Sequence, residues 1–550
     1  MYASHGFLRS DIGDVDVVYH DGLFHLFHLV LPNHDFIAHA TSEDGLNWTR
    51  VKNALFVDDP GTWDDDMLWT MHVSPDPDEQ GRWRMFYTGL SRHELGRVQR
   101  IGLACSYDLM NWERCHAGDY PLEVPGPYYE SSVNEGRSWV SFRDPYFFTD
   151  GKDRRWLLFS GRVKDGPVVR RGCVGLAKEV SPNRFEFAPP LYRPGLYDDV
   201  EVPVLFELDG KHFLMGSIRE DTKVHYWYAD PDSGPEGPFH NYFDNVLLPK
   251  GNYAARICRS NGDWLLFNFF AKTESHAGQP IVRKLLPPPK RLVTDSTGRL
   301  CMKSFGGFDR QVLKQEPIPP VEHWDRLLAN PHAQVSVGTV AGEGSLSCQS
   351  GYEAFLLPGI HEHFRMRATI GLDGHGKCGM VLRADAQADG YYLSLDLIKG
   401  VAQLRAWGEN RTHHAFDHAF KYTQLQAGYF ISDAKGPWQI EVVSYGVYLE
   451  VSIDGYVLLT LADDTYAKGR IGFYAESATL HLEGLQLETL DAPRPESTGG
   501  TLCSSAAEAV ADEQAMAFGR ESDPSGTTGQ VPGTGPVPEP SVRMKPEGFP

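Results

Sequence analysis

DRRWLLFSGR, residues 153–162, is one of five copies of the strand pattern that decides the fold. Each copy starts at a turn rich in Gly, Asp or Asn and continues as a run of alternating aromatic and aliphatic residues. Such runs are typical of antiparallel strands, and no amphipathic helix pattern interrupts them. The other four copies are HDGLFHLFHL (20–29), GRWRMFYTGL (81–90), DGKHFLMGSI (209–218) and NGDWLLFNFF (261–270).

A second unit follows most of these strands and repeats with them. IAHATSEDGLNW (37–48) and IGLACSYDLMNW (101–112) match closely, and weaker versions begin at Val174 and Val224. A repeat of about four strands in every 50 to 70 residues is the signature of a β-propeller. Five strong copies therefore predict five blades. The alternative is a sandwich whose self-similarity is coincidental.

The pattern divides the chain into four parts and predicts an all-β fold class. Residues 1–312 form the predicted five-bladed β-propeller, and the Pro-rich segment 313–330 is a linker. Residues 331–490 alternate polar and apolar positions between Gly-rich turns, which predicts a second domain, a β-sandwich of jelly-roll type. Residues 491–550 are rich in Pro, Gly, Ser and Thr and have little apolar surface to bury, so we predict a disordered C-terminal tail.

Charge and composition exclude several classes of partner. The 550 residues include 73 acidic and 52 basic ones, and the resulting net charge of −21 repels a phosphate backbone. We therefore expect no nucleic-acid partner. No apolar run has the length of a membrane span, so we expect no membrane partner either. A neutral carbohydrate fits this charge balance.

The same survey predicts no metal and no cofactor. The eight cysteines are scattered, the histidines show no metal-ligand spacing, and no nucleotide-binding glycine motif is present. The N-terminal segment shows no apolar leader pattern. Together with the scattered thiols, this predicts a cytoplasmic protein.

Three carboxylates stand at matching positions ahead of the aromatic strands. Asp14 and Glu201 lie 8 and 9 residues before the glycine of their turns, and Asp144 lies 12 residues before Trp156 of its strand. The inner strands of a propeller converge on its axis. Acidic residues at the same phase of different blades are therefore predicted to gather in one axial pocket.

Such a set suits the cleavage of a glycosidic bond. That reaction needs one carboxyl group that donates a proton to the leaving oxygen and one carboxylate that attacks or activates water. Crowding of like charges raises the pKa of one member and so supplies the acid. Taken singly, each of the three also fits an ordinary turn or cap residue. Their common phase favours the catalytic interpretation.

FRDP (142–145) and EVPVLFELDG (201–210) resemble the FRDP and ECP motifs of glycoside hydrolase family 32, which comprises β-fructofuranosidases, invertases, inulinases and levanases. YAA (253–255) and the propeller-plus-sandwich layout extend the resemblance over about residues 10–490. It implies that Asp14 is the nucleophile and Glu201 the acid/base. It further implies that Asp144 stabilises the oxocarbenium-like state and that Arg143 holds substrate hydroxyls.

The resemblance also implies the reaction. Enzymes of this kind release terminal β-fructofuranosyl residues from sucrose or from inulin- or levan-type fructooligosaccharides, with retention of configuration. A fructosyltransferase would use the same three residues.

The chain departs from the family pattern in three places. DIGDVDVV stands where the family has WMNDPNG, and Asp16 is an alternative to Asp14 because it would point the same way along a regular strand. Val202 replaces the Cys of ECP. In WDDDMLWTMHV (63–73), acidic residues replace the small ones of the family's WSGSA segment.

That acidic segment supplies further candidate sugar contacts. Asp65 and Asp66 either contact sugar hydroxyls or cap the strand. Trp63 and Trp69 either stack on a sugar face or pack within the blade.

Other functions remain open at this stage. DVDVVYHDG (14–22) resembles the first-blade pattern of family 43, which implies an inverting arabinofuranosidase or xylosidase. A carbohydrate-binding propeller without catalysis is an alternative from another class. The sandwich domain either binds glycan or buttresses the propeller. The sequence does not predict an oligomeric state.

Overall fold

The computed structural model describes residue 2 and residues 11–115, 120–124, 126–271, 273–276, 279–282, 284–339, 342–409, 420–431, 436–494 and 497–498. Its regular structure is almost entirely β. Four short 3-10 helices complete it: Val168–Arg170, Pro231–Ser233, Gly306–Gln311 and Val321–His323. Within the described ranges, no helix has the length and apolar character needed to cross a membrane.

The first half of the chain forms five sheets whose strands follow one another in sequence order, apart from a short fifth strand that pairs with the third in the first sheet and one short hairpin in the last. Blade 1 contains β1 (Asp11–His20), β2 (Leu23–Leu31), β3 (Phe36–Ser42), β4 (Thr49–Arg50) and β5 (Leu55–Phe56). Blade 2 contains β6 (Met67–Pro75), β7 (Trp83–Leu90), β8 (Gln99–Ser106) and β9 (Glu113–Arg114). Blade 3 contains β10 (Arg143–Thr149), β11 (Arg155–Arg162), β12 (Gly172–Ser181) and β13 (Arg184–Tyr192). Blade 4 contains β14 (Glu201–Leu208), β15 (Lys211–Ile218), β16 (Lys223–Ala229) and β17 (Val246–Leu248). Blade 5 contains β18 (Asn252–Ser260), β19 (Asp263–Phe270), the hairpin β20 (Thr273–His276) and β21 (Gln279–Val282), then β22 (Lys290–Thr294) and β23 (Leu300–Lys303).

The five aromatic repeats are the second strands of the five blades. Each is flanked by its own blade's strands at the edges and by neighbouring blades on its faces, so almost every residue is covered; in β7 all eight are buried. This is why these segments read as nearly continuous apolar runs. The predicted five-bladed propeller is confirmed.

The second repeat unit ends in the same hydrogen-bonded turn in blades 1 and 2. In blade 1, Asp44 Oδ1 accepts the backbone N–H groups of Leu46 and Asn47, both at 2.8 Å. In blade 2, Asp108 Oδ1 does the same for Met110 and Asn111. The matching DGLN and DLMN segments are therefore structural turns.

Tyr2 joins the last blade to the first. Its backbone forms a bridge with Leu286 of blade 5, and its hydroxyl lies 2.9 Å from His28 Nε2 in the core of blade 1. The inner strands β1 and β18 are neighbours across the same junction. The ring of blades is thus closed.

The second half of the chain forms one large antiparallel sheet that folds over on itself as a sandwich. Its strands are β24 (Val312–Gln315), β25 (Asp325–Arg326), β26 (Ala333–Val337), β27 (Gly344–Leu356), β28 (Phe364–Asp373), β29 (Lys377–Ala384), β30 (Gly390–Asp396), β31 (Val401–Glu409), β32 (Phe420–Tyr429), β33 (Trp438–Tyr445), β34 (Tyr448–Ile453), β35 (Tyr456–Ala462) and β36 (Arg470–Leu490). The 21-residue strand β36 pairs with β24, β27, β28 and β29 and is the spine of the domain. Strands β32 and β35, at the two ends of the main path, lie side by side. The predicted second all-β domain is confirmed as a sandwich.

The segments on either side of the sandwich take part in sheets. Within the predicted linker 313–330, β24 pairs with β36 and β25 pairs with β27. After the sandwich, the short strand β37 (Ser497–Thr498) pairs in parallel with β4 of blade 1. The rest of the predicted disordered tail, from residue 499, lies outside the described residues.

Two buried groups of opposite charge influence each other where the two domains meet. Lys290 of blade 5 and Glu450 of the sandwich are both nearly inaccessible to solvent, and each influences the pKa of the other. The ammonium group of Lys290 lies 5.2 Å from the ring centre of Tyr448, whose hydroxyl donates a hydrogen bond of 2.5 Å to Glu450. A buried pair of this kind tolerates the loss of neither partner.

The buried histidines of blade 1 make folding sensitive to acid. Burial, with repulsion from Arg50, lowers the pKa of His28 from 6.5 to about 3. His28 is therefore neutral in the folded protein at pH values at which the unfolded chain binds a proton, so its contribution to stability is lost as pH falls below 6.5 towards 3.

We predict that the free energy of unfolding in urea falls between pH 7.5 and pH 5, and that His28→Gln removes about 2 kcal/mol of this fall. His375→Gln, at an exposed histidine, is the matched control and should leave the pH dependence unchanged. An equal fall in wild type and His28→Gln would contradict the prediction.

Candidate active site

All five inner strands carry a β-bulge at the same level. The register shifts lie between Ile12 and Val15 in β1, Trp69 and Met71 in β6, Arg143 and Tyr146 in β10, Glu201 and Val204 in β14, and Tyr253 and Arg256 in β18. A bulge interrupts the alternation of side chains and re-aims the residues beside it. Asp14, Thr70, Asp144, Glu201 and Tyr253 all lie at these bulges, and their side chains meet at the axis.

The backbone of three bulges is left-handed and is held there by neighbouring side chains. Asp144, Val202 and Ala254 have φ values of 60°, 50° and 50°. The backbone N–H of Asp144 donates a hydrogen bond of 3.1 Å to Thr88 Oγ1. The N–H of Val202 donates one of 3.0 Å to Asp144 Oδ2. The N–H of Ala254 donates one of 2.9 Å to Ser217 Oγ. Left-handed backbone is unfavourable for such residues, above all for Val202, which is β-branched. Strain of this kind is concentrated at functional sites.

The structure brings the three predicted carboxylates together. Asp14 accepts a hydrogen bond from the hydroxyl of Thr70. It is also close enough to Asp144 and Glu201 for their charges to raise its pKa. Each of the three comes from a different blade, as the sequence phase predicts.

Glu201 is held by two further side chains. Its Oε1 accepts a hydrogen bond of 2.6 Å from Nη2 of Arg143, and its Oε2 accepts one from the hydroxyl of Tyr253. The Nε of Arg143 also lies 3.6 Å from Asp144 Oδ2. Arg143 therefore contacts two of the three carboxylates, in agreement with its predicted place in the site.

The electrostatics of the pocket favour retention of a proton. Burial, then repulsion from Asp144 and Glu201, raises the pKa of Asp14 to about 7, against the hydrogen bond from Thr70. Burial also raises the pKa of Asp144, although the charge of Arg143 opposes this. The pocket thus holds a proton up to near neutral pH, and Asp14 is the group whose pKa shows it.

Asp16, the alternative to Asp14, lies outside this trio. Its Oδ2 accepts a hydrogen bond of 2.6 Å from the backbone N–H of Val73 and lies 3.3 Å from Nδ1 of His72. These contacts tie blade 1 to blade 2. The bulge places Asp14 at the axis, while Asp16 lies in the regular part of β1 beyond it.

The predicted rim residues have mixed roles. The ring of Trp63 stacks on Tyr87 with centres 5.7 Å apart. It also covers Gly89 and Gly102, where a Cβ atom would lie 2.5 and 2.7 Å from the ring. Trp63 therefore packs within blade 2. Trp69 directly precedes Thr70 at the bulge, and its ring centre is 6.0 Å from that of His34.

The two rim carboxylates organise a loop. Asp65 accepts the backbone N–H groups of Gly61 and Arg92, both at 2.8 Å. Asp66 lies 3.7 Å from Nε of Arg92. These contacts match the capping alternative for Asp65.

Arg256 is a site residue that sequence reasoning missed. Its guanidinium group is fully buried beneath the carboxylates and donates hydrogen bonds to the carbonyl oxygens of Pro203 at 2.8 Å and Pro145 at 2.9 Å. A longer contact of 3.5 Å reaches Met71 O. These carbonyls lie at the bulges of blades 4, 3 and 2, so Arg256 joins four blades.

Thr70 and Tyr253 were also missed as site residues. Thr70 is one of three polar residues in β6, with His72 and Ser74, and nothing in the sequence sets it apart. Tyr253 belongs to the YAA motif, which was the one available signal. In the part of the chain that the structure describes, no three His, Cys, Asp or Glu side chains are arranged to hold a metal ion.

We predict that Arg256→Met lowers the free energy of unfolding by about 3–5 kcal/mol, because it leaves buried carboxylates without their compensating charge and buried carbonyls without a donor. Arg259→Met is the matched control, since Arg259 lies on the same strand but is exposed, and it should cost less than about 1 kcal/mol. Urea unfolding at pH 7 measures both. Equal losses in the two variants would contradict the role given to Arg256.

Comparison with known proteins identifies the family. Residues 14–273 match the family model for the glycosyl hydrolases family 32 N-terminal domain. A comparison with curated proteins finds no match. Among solved structures, the chain is similar to an exo-inulinase from Aspergillus awamori, with 15% identity, a TM-score of 0.63, and coverage of 90% of this chain and 98% of that one.

Two other solved structures show the same fold. A β-fructofuranosidase from Bombyx mori is 16% identical, with a TM-score of 0.60 and coverage of 88% of this chain and 92% of that one. A fructan 1-exohydrolase IIa from Cichorium intybus is 13% identical, with a TM-score of 0.64 and coverage of 90% and 98%. Over residues 14–273, the propeller of this chain therefore matches the N-terminal domain of glycosyl hydrolase family 32, a family of glycoside hydrolases.

Proposed function

We propose that the protein removes terminal β-fructofuranosyl residues from sucrose or from inulin- or levan-type fructooligosaccharides by a retaining double displacement. The observation that carries this proposal is the meeting of Asp14, Asp144 and Glu201 at equivalent bulges around one axis. Two proteins of similar structure have been solved with such sugars. A Bombyx mori β-fructofuranosidase variant holds sucrose, and a Cichorium intybus fructan exohydrolase variant holds 1-kestose.

In the first step, a carboxylate oxygen of Asp14 attacks the anomeric carbon of the fructosyl unit. The bond from that carbon to the leaving oxygen breaks, and Glu201 gives its proton to the leaving oxygen. The hydrogen bond from Thr70 fixes the orientation of the Asp14 carboxylate. The product of this step is a fructosyl ester on Asp14 and a free aglycone.

In the second step, water replaces the aglycone. The oxygen of the water attacks the anomeric carbon while Glu201, now ionised, takes a proton from the water. The ester bond to Asp14 breaks. Two displacements restore the original configuration. Asp144 and Arg143 lie beside the reacting carboxylates and are placed to hold fructosyl hydroxyls.

Glu201 gives up a proton and takes one up again in each catalytic cycle, and its hydrogen-bonding partners suit this role. Arg143 and Tyr253 each donate a hydrogen bond to one of its two oxygens. They keep the carboxyl group in place while it is ionised. The leaving oxygen of the sugar then receives the proton from a group whose position is already fixed.

We predict that Glu201→Gln lowers the release of fructose by about 10²–10⁴-fold, because the variant has no proton to donate. The panel contains sucrose, inulin, levan oligosaccharides, and nitrophenyl arabinofuranoside and xyloside. Glu207→Gln, an exposed position on the same strand, is the matched control and should retain wild-type activity. Release of pentose rather than fructose would favour the family 43 alternative, and silence on the whole panel would favour a binding protein.

Proton NMR of the first product distinguishes the mechanisms. We predict that β-fructofuranose appears before mutarotation, because two displacements retain configuration. The α-anomer as first product would overturn the double displacement and indicate direct attack by water.

We predict that kcat/KM rises as pH increases towards about 7, because burial and repulsion raise the pKa of Asp14 to about 7 and its carboxyl group must be ionised to attack the anomeric carbon. The rate of fructose release between pH 4 and pH 9 measures this. A profile that is flat from pH 4 to pH 7 would show that ionisation of Asp14 does not limit the reaction.

A further inference from the structure

Asp199 lies two residues before Glu201 and contacts the same arginine. Nη2 of Arg143 donates to Glu201 Oε1 at 2.6 Å, and the same nitrogen lies 3.4 Å from Asp199 Oδ2. One cationic group therefore faces two carboxylates. Neither the family motifs nor the sequence phase draws attention to Asp199.

Asp199 is held firmly in this position. Arg137 contacts both of its oxygens, with Nη1 at 2.7 Å from Oδ2 and Nη2 at 3.2 Å from Oδ1. Nη2 of Arg219 lies 3.5 Å from Oδ2. The backbone is also fixed, because a Cβ atom on Gly172 would lie 2.7 Å from Asp199 Cα. Only 1% of the side chain is exposed.

Asp199 carries a full negative charge in this setting. Burial raises the pKa of Asp199, but the charges of Arg143, Arg137 and Arg162 lower it to about 2 overall. It is therefore ionised throughout the pH range in which a glycosidase of this type operates. Its charge is a fixed feature of the pocket.

The proposed function gives Glu201 a task that Arg143 opposes. A cation in contact with a carboxyl group favours its ionised form, whereas a proton donor must hold its proton until the substrate is bound. The other groups that face Glu201 are Asp14, Asp144 and Tyr253, from blades 1, 3 and 5. The two aspartates belong to the reacting trio, whereas Asp199 is an anion outside it that faces the same arginine.

We propose that Asp199 is a positioning residue that anchors Arg143 and offsets its charge, so that Glu201 holds its proton when the substrate arrives. This inference rests on the proposed function. The arginine then keeps the geometry of the acid while Asp199 limits the effect of its charge on the protonation of the acid. Asp198, the next residue back, contacts Arg137, Arg162 and Arg219 and is more exposed.

The test is the pH profile of kcat/KM for a sugar that the wild-type protein cleaves. Asp199→Asn removes the anion but keeps the shape of the side chain. We expect its alkaline limb to move to lower pH by about one unit, since an unopposed Arg143 then favours ionised Glu201. Asp198→Asn is the matched control at the neighbouring carboxylate. Its alkaline limb should move by less than about a third of the shift expected for Asp199→Asn.

A second variant, which removes a positive charge instead of a negative one, separates this role from a merely structural one. Arg137→Gln removes a cation from Asp199, which leaves more of the aspartate's charge to act on Arg143 and Glu201. We expect its alkaline limb to stay in place or to move to higher pH. A loss of structure alone would lower the rates of both variants without opposite shifts, and it would appear as a lower melting temperature.

The outcomes are distinct. The proposal is overturned if Asp199→Asn is active and its alkaline limb lies at the same pH as that of the wild type. It is also overturned if both variants shift the alkaline limb in the same direction. If Asp199→Asn does not fold, the direction of the Arg137→Gln shift decides, and a shift to lower pH overturns it. If the wild-type protein releases no sugar from any member of the panel, the proposed function itself fails, and that result is obtained before any variant is made.

Discussion

A bulge at the same level of every inner strand is the constraint on which the pocket depends. In a regular strand, side chains alternate between the two faces of a blade, and none would be directed along the axis. The extra residue re-aims them, at a cost of about 1–3 kcal/mol for each left-handed residue such as Asp144 or Val202. A side chain from the adjacent blade accepts the N–H of that strained residue. The site therefore exists only in the closed ring, where every blade has its neighbour.

Two buried arginines manage the charge of the pocket in different ways. Arg143 hydrogen-bonds directly to Glu201 and so fixes the position of the group that must gain and lose a proton. Arg256 gives its hydrogen bonds to backbone carbonyls instead. Its positive charge still lowers the pKa of Asp14, yet it occupies none of that residue's oxygen atoms. The carboxylate stays free to attack while its charge is partly compensated from below.

The sequence predicted the five blades because their second strands are buried on both faces and so leave a strong apolar pattern. It also predicted the carboxylate trio, since equal phase in the blades means equal height along the axis. It did not predict Arg256 or Thr70, because their partners are backbone carbonyls and a side chain from other blades, and no local pattern records such contacts. Trp63 was ambiguous for a similar reason: the two glycines that make room for its ring are 26 and 39 residues away in the chain.

The long strand β36 has a consequence for synthesis of the protein. Blade 5 ends at Lys303, so the strands of all five blades have been synthesised when little more than half of the chain has left the ribosome. The sandwich, in contrast, cannot close until β36 emerges, because β24, β27, β28 and β29 all pair with it. Until then these strands present open edges beside the blades, and open edges pair readily with other chains. A nascent chain arrested before Arg470 would thus carry the catalytic carboxylates on one side of an aggregation-prone half-sheet.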